Sequence, residues 1–141
     1  MCNKKKRLII YTLSICSLII SFYCCNEGFI GVEGEPLKEY IMAEQLKTLT
    51  ENPKEDIWII DVTPQRHYTK HHIPTAKSFP SDEILYRLDE IPEDKYLIIY
   101  CETGARSQRI LKILEQKGIT KTMNWGSYTR WLWQYESGAL P

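Results

Sequence analysis

The run Tyr96-Leu97-Ile98-Ile99-Tyr100-Cys101, continued by Glu102-Thr103-Gly104-Ala105-Arg106-Ser107-Gln108-Arg109, constrains the fold of this 141-residue chain more than any other stretch. An apolar, β-branched and aromatic run without alternation describes a strand buried on both faces, the habit of parallel sheets. A compact loop with one glycine follows. From about Ser107 the spacing of Ile110, Leu111, Ile113 and Leu114 predicts a helix, stopped by Gly118. A thiol at the carboxyl end of a strand, facing the amino end of the next helix, meets backbone N–H groups and the positive end of the helix dipole. Those surroundings favour the thiolate and make Cys101 a candidate nucleophile rather than inert core filler.

The other four cysteines, Cys2, Cys16, Cys24 and Cys25, all lie within residues 1–25. Cys101 therefore has no disulfide partner and no second cysteine for a Cys-rich zinc site in the rest of the chain. Charge is just as uneven. Lys4, Lys5, Lys6 and Arg7 are four of the 18 basic residues, while all 18 acidic residues lie in 26–141, which leaves that part at net −4. A mildly acidic domain without a basic cluster excludes nucleic acid as the expected partner.

The cationic residues 4–7 and the charge-free apolar run 8–23 have the form of an export signal with its basic end kept inside. Extended through Cys24 and Cys25, the run reaches the lower edge of what spans a bilayer. We expect residues 1–25 to be a signal peptide or membrane anchor, with membrane contact through residues 8–25 and lipidation at Cys24 or Cys25 as the lesser alternative. Residues 26–36 read as a polar, Gly-containing linker. Residues 37–141 are then an exported domain, periplasmic or anchored on the outer face of the cytoplasmic membrane.

Within that domain, strands are expected at 37–41, 57–62, 76–80, 96–100 and 119–124. Helices are expected at 43–49, from Ser81 to Leu88, after Ser107, and from Ser127 to Glu136, with 63–75 as a polar turn. Apolar strands alternating with helices imply an α/β fold: a central, mostly parallel five-stranded sheet flanked by helices in three layers. Ligands of such sheets bind at the carboxyl ends of the strands, where Asp61 and Cys101 both sit.

Three groups of residues resemble the single-domain rhodanese (sulfurtransferase) family. They are Ile59-Ile60-Asp61-Val62 with His72-Ile73-Pro74-x-Ala76, the loop Tyr100 to Ser107, and Asn124-x-Gly126 … Trp131 … Gly138-x-x-Pro141. The chain departs from the family's pattern at Thr63, where Arg is frequent, and at His71, Thr75 and Ser127, where Gly is. The resemblance implies a Cys101 persulfide that carries a sulfane sulfur from thiosulfate, a polysulfide or a persulfide to a thiol or to cyanide. It implies that loop groups from Glu102, Thr103, Gly104, Ala105, Arg106 and Ser107 bind the anion. Arg106 would supply a fixed positive charge, and Asp61 would support the strand end. No metal or organic cofactor is implied. The spacing Cys101-x4-Arg106 is that of sulfur transfer, whereas related phosphatases use a loop one residue longer. Glu102 adds a negative charge that disfavours dianionic thiosulfate. A persulfide carrier or interaction module, working with a sulfur-relay protein on the cell envelope, is the alternative.

The bland readings differ by residue. His67 and His71, four apart with Asp61 near, suggest a metal site, but Ile73-Pro74 breaks any helix there and the resemblance implies that His72 is structural, so no metal is expected. Trp125, Tyr128, Trp131, Trp133 and Tyr135 read mainly as core.

Overall fold

The computed structural model describes residues 30–135, with side chains through Leu132. Four parallel strands form the sheet: β1 (Ile57–Asp61), β2 (Lys77–Ser78), β3 (Tyr96–Cys101) and β4 (Thr122–Ser127), in the order β2-β1-β3-β4. The helices are α1 (Ala43–Glu51), α2 (Gln65–Tyr68), α3 (Ala105–Gln116) and α4 (Thr129–Tyr135).

Side-chain alternation along the central strands divides the core into two layers. Ile59, Ile98 and Tyr100 face one way and pack with Leu46 and Leu49 of α1 and Trp131 of α4. Ile60, Leu97, Ile99 and Cys101 face the other and pack with Ile110, Leu111 and Leu114 of α3. Ser107, Ile110, Leu111 and Leu114 form the buried stripe of α3, at the i, i+3, i+4, i+7 spacing of a one-sided helix. Each fully buried aliphatic side chain of this kind contributes ~1.5–3 kcal/mol.

Several expectations need correction. Among the described residues the sheet has four strands, not five, because residues 35–40 form a 3-10 helix. Leu37 and Tyr40 are its buried residues, and that three-residue repeat fits a 3-10 turn where a strand needs two. The expected helix from Ser81 to Leu88 is two 3-10 turns, Ile84–Tyr86 and Leu88–Glu90. Only Ile84 is buried there, so no apolar stripe holds a longer helix in place. The last strand is shifted to Thr122–Ser127, because Gly118 and Ile119 close α3 with bonds to Glu115 and Leu114 carbonyls. α3 itself begins at Ala105, and α4 at Thr129.

Ile30 to Gly34 lie along the outer edge of β4. Gly31 N–H donates to Thr122 O (2.7 Å) and Glu33 N–H to Thr120 O (3.1 Å). Ile30 makes an antiparallel bridge with Met123. The edge is covered instead of left open. Approach here is so close that a Cβ on Gly34 would sit 2.1 Å from Thr122 O. Thr75, a non-glycine residue with positive φ (66°), occupies a position where the resemblance leads one to expect glycine. A β-branched residue there is strained.

Among the described residues no helix is long and apolar enough to cross a membrane. The apolar run 8–23, Cys24, Cys25, Gly138 and Pro141 lie outside the described residues.

Candidate functional site

β3 ends at Cys101 and α3 starts four residues later. Gly104 makes that short connection at φ +88°, a conformation that disfavours any side chain. A Cβ there would also stand 3.3 Å from the backbone of Gly126. The result is a cradle of donors around one sulfur. Gly104 N–H donates to Cys101 Sγ at 3.1 Å, and Ser107 Oγ lies 3.6 Å from it. The Ser107 hydroxyl also lies 3.0 Å from Gly104 O, and its single proton serves one acceptor at a time.

Burial by itself would push the Cys101 thiol up. The N–H and hydroxyl of Ser107, with the N–H groups of Thr103 and Gly104, outweigh it and hold the thiol below its ordinary range. Such a group stabilises the fold above the ordinary thiol pKa, and that contribution fades as pH falls through the folded value. Alkylation of Cys101 by iodoacetamide in the full chain is therefore expected to titrate below ~8.5, the free-cysteine value. Ser107→Ala should move the midpoint upward but not all the way to the free-thiol value, since the backbone N–H groups remain. An unchanged midpoint would remove Ser107 from the cradle.

The loop is anchored from β4 by a bulge. β4 register slips between Ile99 and Tyr100, so that Asn124 faces Ile99 and Gly126 faces Tyr100, with Trp125 as the extra residue. Asn124 fixes the bulge: its Oδ1 accepts from Gly126 N–H (2.9 Å), and its Nδ2 donates to Gln108 Oε1 (2.7 Å). The re-aimed strand end then holds the cysteine loop. Ser127 Oγ donates to Glu102 O (2.5 Å), and Tyr128 N–H to Cys101 O (2.8 Å).

Beside the loop runs a chain of charged and polar groups. The Glu102 carboxylate receives Arg106 at 3.4 Å and His67 Nδ1 at 3.3 Å. Arg66 Nε donates to His67 Nε2 at 3.2 Å, which assigns the ring proton to Nδ1, facing Glu102. Thr103 and Ala105 are exposed. Asp61 ends the strand beside β3, but its side chain leaves the other face of the sheet. There it accepts from Thr63 N–H (2.8 Å) and, with burial as the larger cause, raises the Tyr100 hydroxyl pKa. The Tyr100 hydroxyl in turn accepts from Ile73 N–H (2.9 Å).

The histidines part company. His67 meets Glu102, His72 stacks on Tyr68 at 4.1 Å, and His71 stacks on Tyr128 at 5.4 Å. The sequence reading singled out the loop residues but weighed His67 only as a metal ligand. It missed Asn124, Ser127 and Tyr128 as anchors. His67 and Glu102 are 35 residues apart, and nothing local in the sequence links them. Asn124-x-Gly126 was the available signal for the bulge.

Among curated proteins, the chain is 34% identical over 70 residues to a sulfurtransferase of Allochromatium vinosum, covering 50% of this chain and 65% of that protein. It therefore spans just under two thirds of that relative's length. It is 29% identical over 101 residues to the uncharacterised protein YqhL of Bacillus subtilis, covering 67% and 80%. The fold matches a single-domain sulfurtransferase, RDL2, of Saccharomyces cerevisiae at TM-score 0.59 and 22% identity, covering 71% of this chain and 93% of that one. A rhodanese-like domain protein of Staphylococcus aureus matches at TM-score 0.56 and 26% identity, covering 64% and 87%. The Rhodanese-like domain family matches residues 42–132, most of the chain, with the cysteine cradle and its β4 anchor inside the matched region. The chain belongs to the rhodanese-like domain family.

Proposed function

We propose that the protein is a sulfurtransferase that passes a sulfane sulfur through Cys101. The observation that carries this is the cradle: a buried thiol held below its ordinary pKa by backbone N–H groups and Ser107 at the mouth of a helix. With thiosulfate as donor, the Cys101 thiolate attacks the outer sulfur. The Cys101 S–S bond forms, the S–SO3 bond breaks, and its electron pair leaves with sulfite. An acceptor thiolate then attacks the terminal persulfide sulfur, forms its own S–S bond and returns Cys101 as thiolate. The same N–H groups that favour the thiolate favour the anionic persulfide, so the resting and loaded forms are stabilised alike.

Polysulfides and low-molecular-weight persulfides fit the same steps. A protein acceptor fits as well, and a Bacillus subtilis relative described as a putative sulfur carrier protein, 31% identical over 70 residues, supports that variant. The basic residues 4–7 and the apolar run 8–23 support export, with the domain outside the cytoplasmic membrane.

The test is an intact mass of the full chain after incubation with thiosulfate or polysulfide and removal of excess donor. A gain of about one sulfur, ~32 Da, mapped to the Cys101 peptide and discharged by a thiol, is expected. No gain on that peptide with either donor would sink the reading.

A further inference from the structure

The acid–base chain beside the loop has a feature that loop chemistry alone does not require. Two donors from different elements, Arg106 on α3 and His67 on α2, converge on a single carboxylate, that of Glu102. His67 presents an N–H there because its other nitrogen is taken by Arg66. No Asp or Glu occurs in residues 62–81 or 103–114, the segments that carry these donors. Glu102 is thus the one carboxylate that its own loop offers between them.

None of the three side chains is buried: Glu102 is 43% exposed, Arg106 39% and His67 31%. Ion pairs at that exposure are worth little and exchange readily with solvent or solute anions. Glu102 follows Cys101 directly in the chain and Arg106 lies in the first turn of α3, so the pair belongs to the same strand-to-helix connection as the reacting sulfur.

The geometry points to an anion subsite formed by Arg106 and His67, filled in the free protein by the Glu102 carboxylate as an internal competitor. It rests on the sulfur-transfer reading and specifies its substrate class. A donor's anionic end must displace Glu102 to reach Arg106 and His67, and a dianion does so against the charge of the displaced carboxylate. The site therefore discriminates against small dianions such as thiosulfate and favours donors of lower charge next to the sulfane sulfur. Glu102 is the specificity-determining residue, and His67 is a donor of the subsite it covers.

The test compares two donors in the full chain. Thiosulfate is a dianion; benzenethiosulfonate is a monoanion that gives the same Cys101 persulfide, with its S–SO2 bond breaking and the electron pair leaving on benzenesulfinate. The readout is the ratio of kcat/KM for thiosulfate to kcat/KM for benzenethiosulfonate. That ratio cancels general damage to the cysteine or the fold. Glu102→Gln, near in shape but uncharged, is expected to raise the ratio about tenfold, the order expected for one partly solvated charge a few ångströms away. His67→Phe added to that variant should lower the ratio again, at least about threefold, by removing the second donor. An active Glu102→Gln protein whose ratio stays within about twofold of the parent overturns the internal-competitor role. A double variant that keeps the whole gain removes His67 from the subsite and overturns the two-donor assignment. Absence of turnover with both donors in the parent protein is a different failure, that of the sulfur-transfer reading itself.

Discussion

Cys101→Ser is expected to lower steady-state sulfur transfer by ~10^3-fold or more, to the rate at which donor and acceptor react unaided. The loss follows from the chemistry at one atom. The cradle holds the thiol below its ordinary pKa, but a serine hydroxyl starts so far above it that the same N–H groups leave it protonated. Oxygen is also a poor nucleophile toward sulfane sulfur and forms no persulfide. The fold should survive, since the replacement is smaller and a buried hydroxyl finds ready hydrogen-bonding groups in Gly104 N–H and Ser107. Thermal melts of both proteins alongside the rates separate lost chemistry from lost structure. Retention of more than about a tenth of the parent rate would move the sulfur to another residue, with Cys2, Cys16, Cys24 and Cys25 as the candidates.

The cysteine loop was legible because its determinants are local. A buried apolar run, a single glycine and an amphipathic helix follow one another in a few residues, and together they place a thiol at a helix amino end. The strands β1 and β3 were legible for the same reason. Less legible were elements defined by what they pack against. Leu37 and Tyr40 look like a strand until their three-residue repeat is seen against α1 and the sheet. The segment from Ser81 to Leu88 carries good capping residues, yet buries only Ile84 and so stays as 3-10 turns. The site shows the same division. Glu102 in the loop and Arg106 in the first turn of α3 are only four apart, so the chance of their pairing is readable from the sequence. The reach of His67 to Glu102 depends on how the residues after β1 fold over the loop, which the sequence does not state. Asp61 illustrates the converse: it shares the strand-end level with Cys101, but side-chain alternation sends it to the Tyr100 face.

Trp125→Ala is expected to cost ~3–5 kcal/mol of stability, the range for truncating a fully buried aromatic residue. Three contacts converge on this side chain. It is 1% exposed within the layer of Leu46, Tyr100 and Trp131, and its indole N–H donates to Tyr40 O at 2.9 Å. The Arg130 guanidinium lies 4.6 Å above its ring. Arg130 also bonds to Trp125 O and Ile41 O, so it joins the end of β4 to the entry of α1 across the same ring. Truncation leaves a cavity, an orphaned Tyr40 carbonyl and an arginine without its apolar support. For a domain of this size the loss corresponds to a fall in Tm of roughly 15–30 °C. Trp125→Phe is the milder truncation, because it keeps one six-membered ring and loses the pyrrole part with its N–H, and should cost about 1–3 kcal/mol, less than alanine. Trp125 is also the bulged residue that directs Ser127 and Tyr128 to the cysteine loop, so loosening it should reach the site. In the alanine variant, well below its Tm, the pH midpoint of Cys101 alkylation should rise toward that of a free thiol, because the loop donors are no longer held in place. A Tm within about 5 °C of the parent would show that the bulge carries little of the fold's stability. A normal Tm loss with an unmoved alkylation midpoint would show that the cradle is held by β3 and α3 alone.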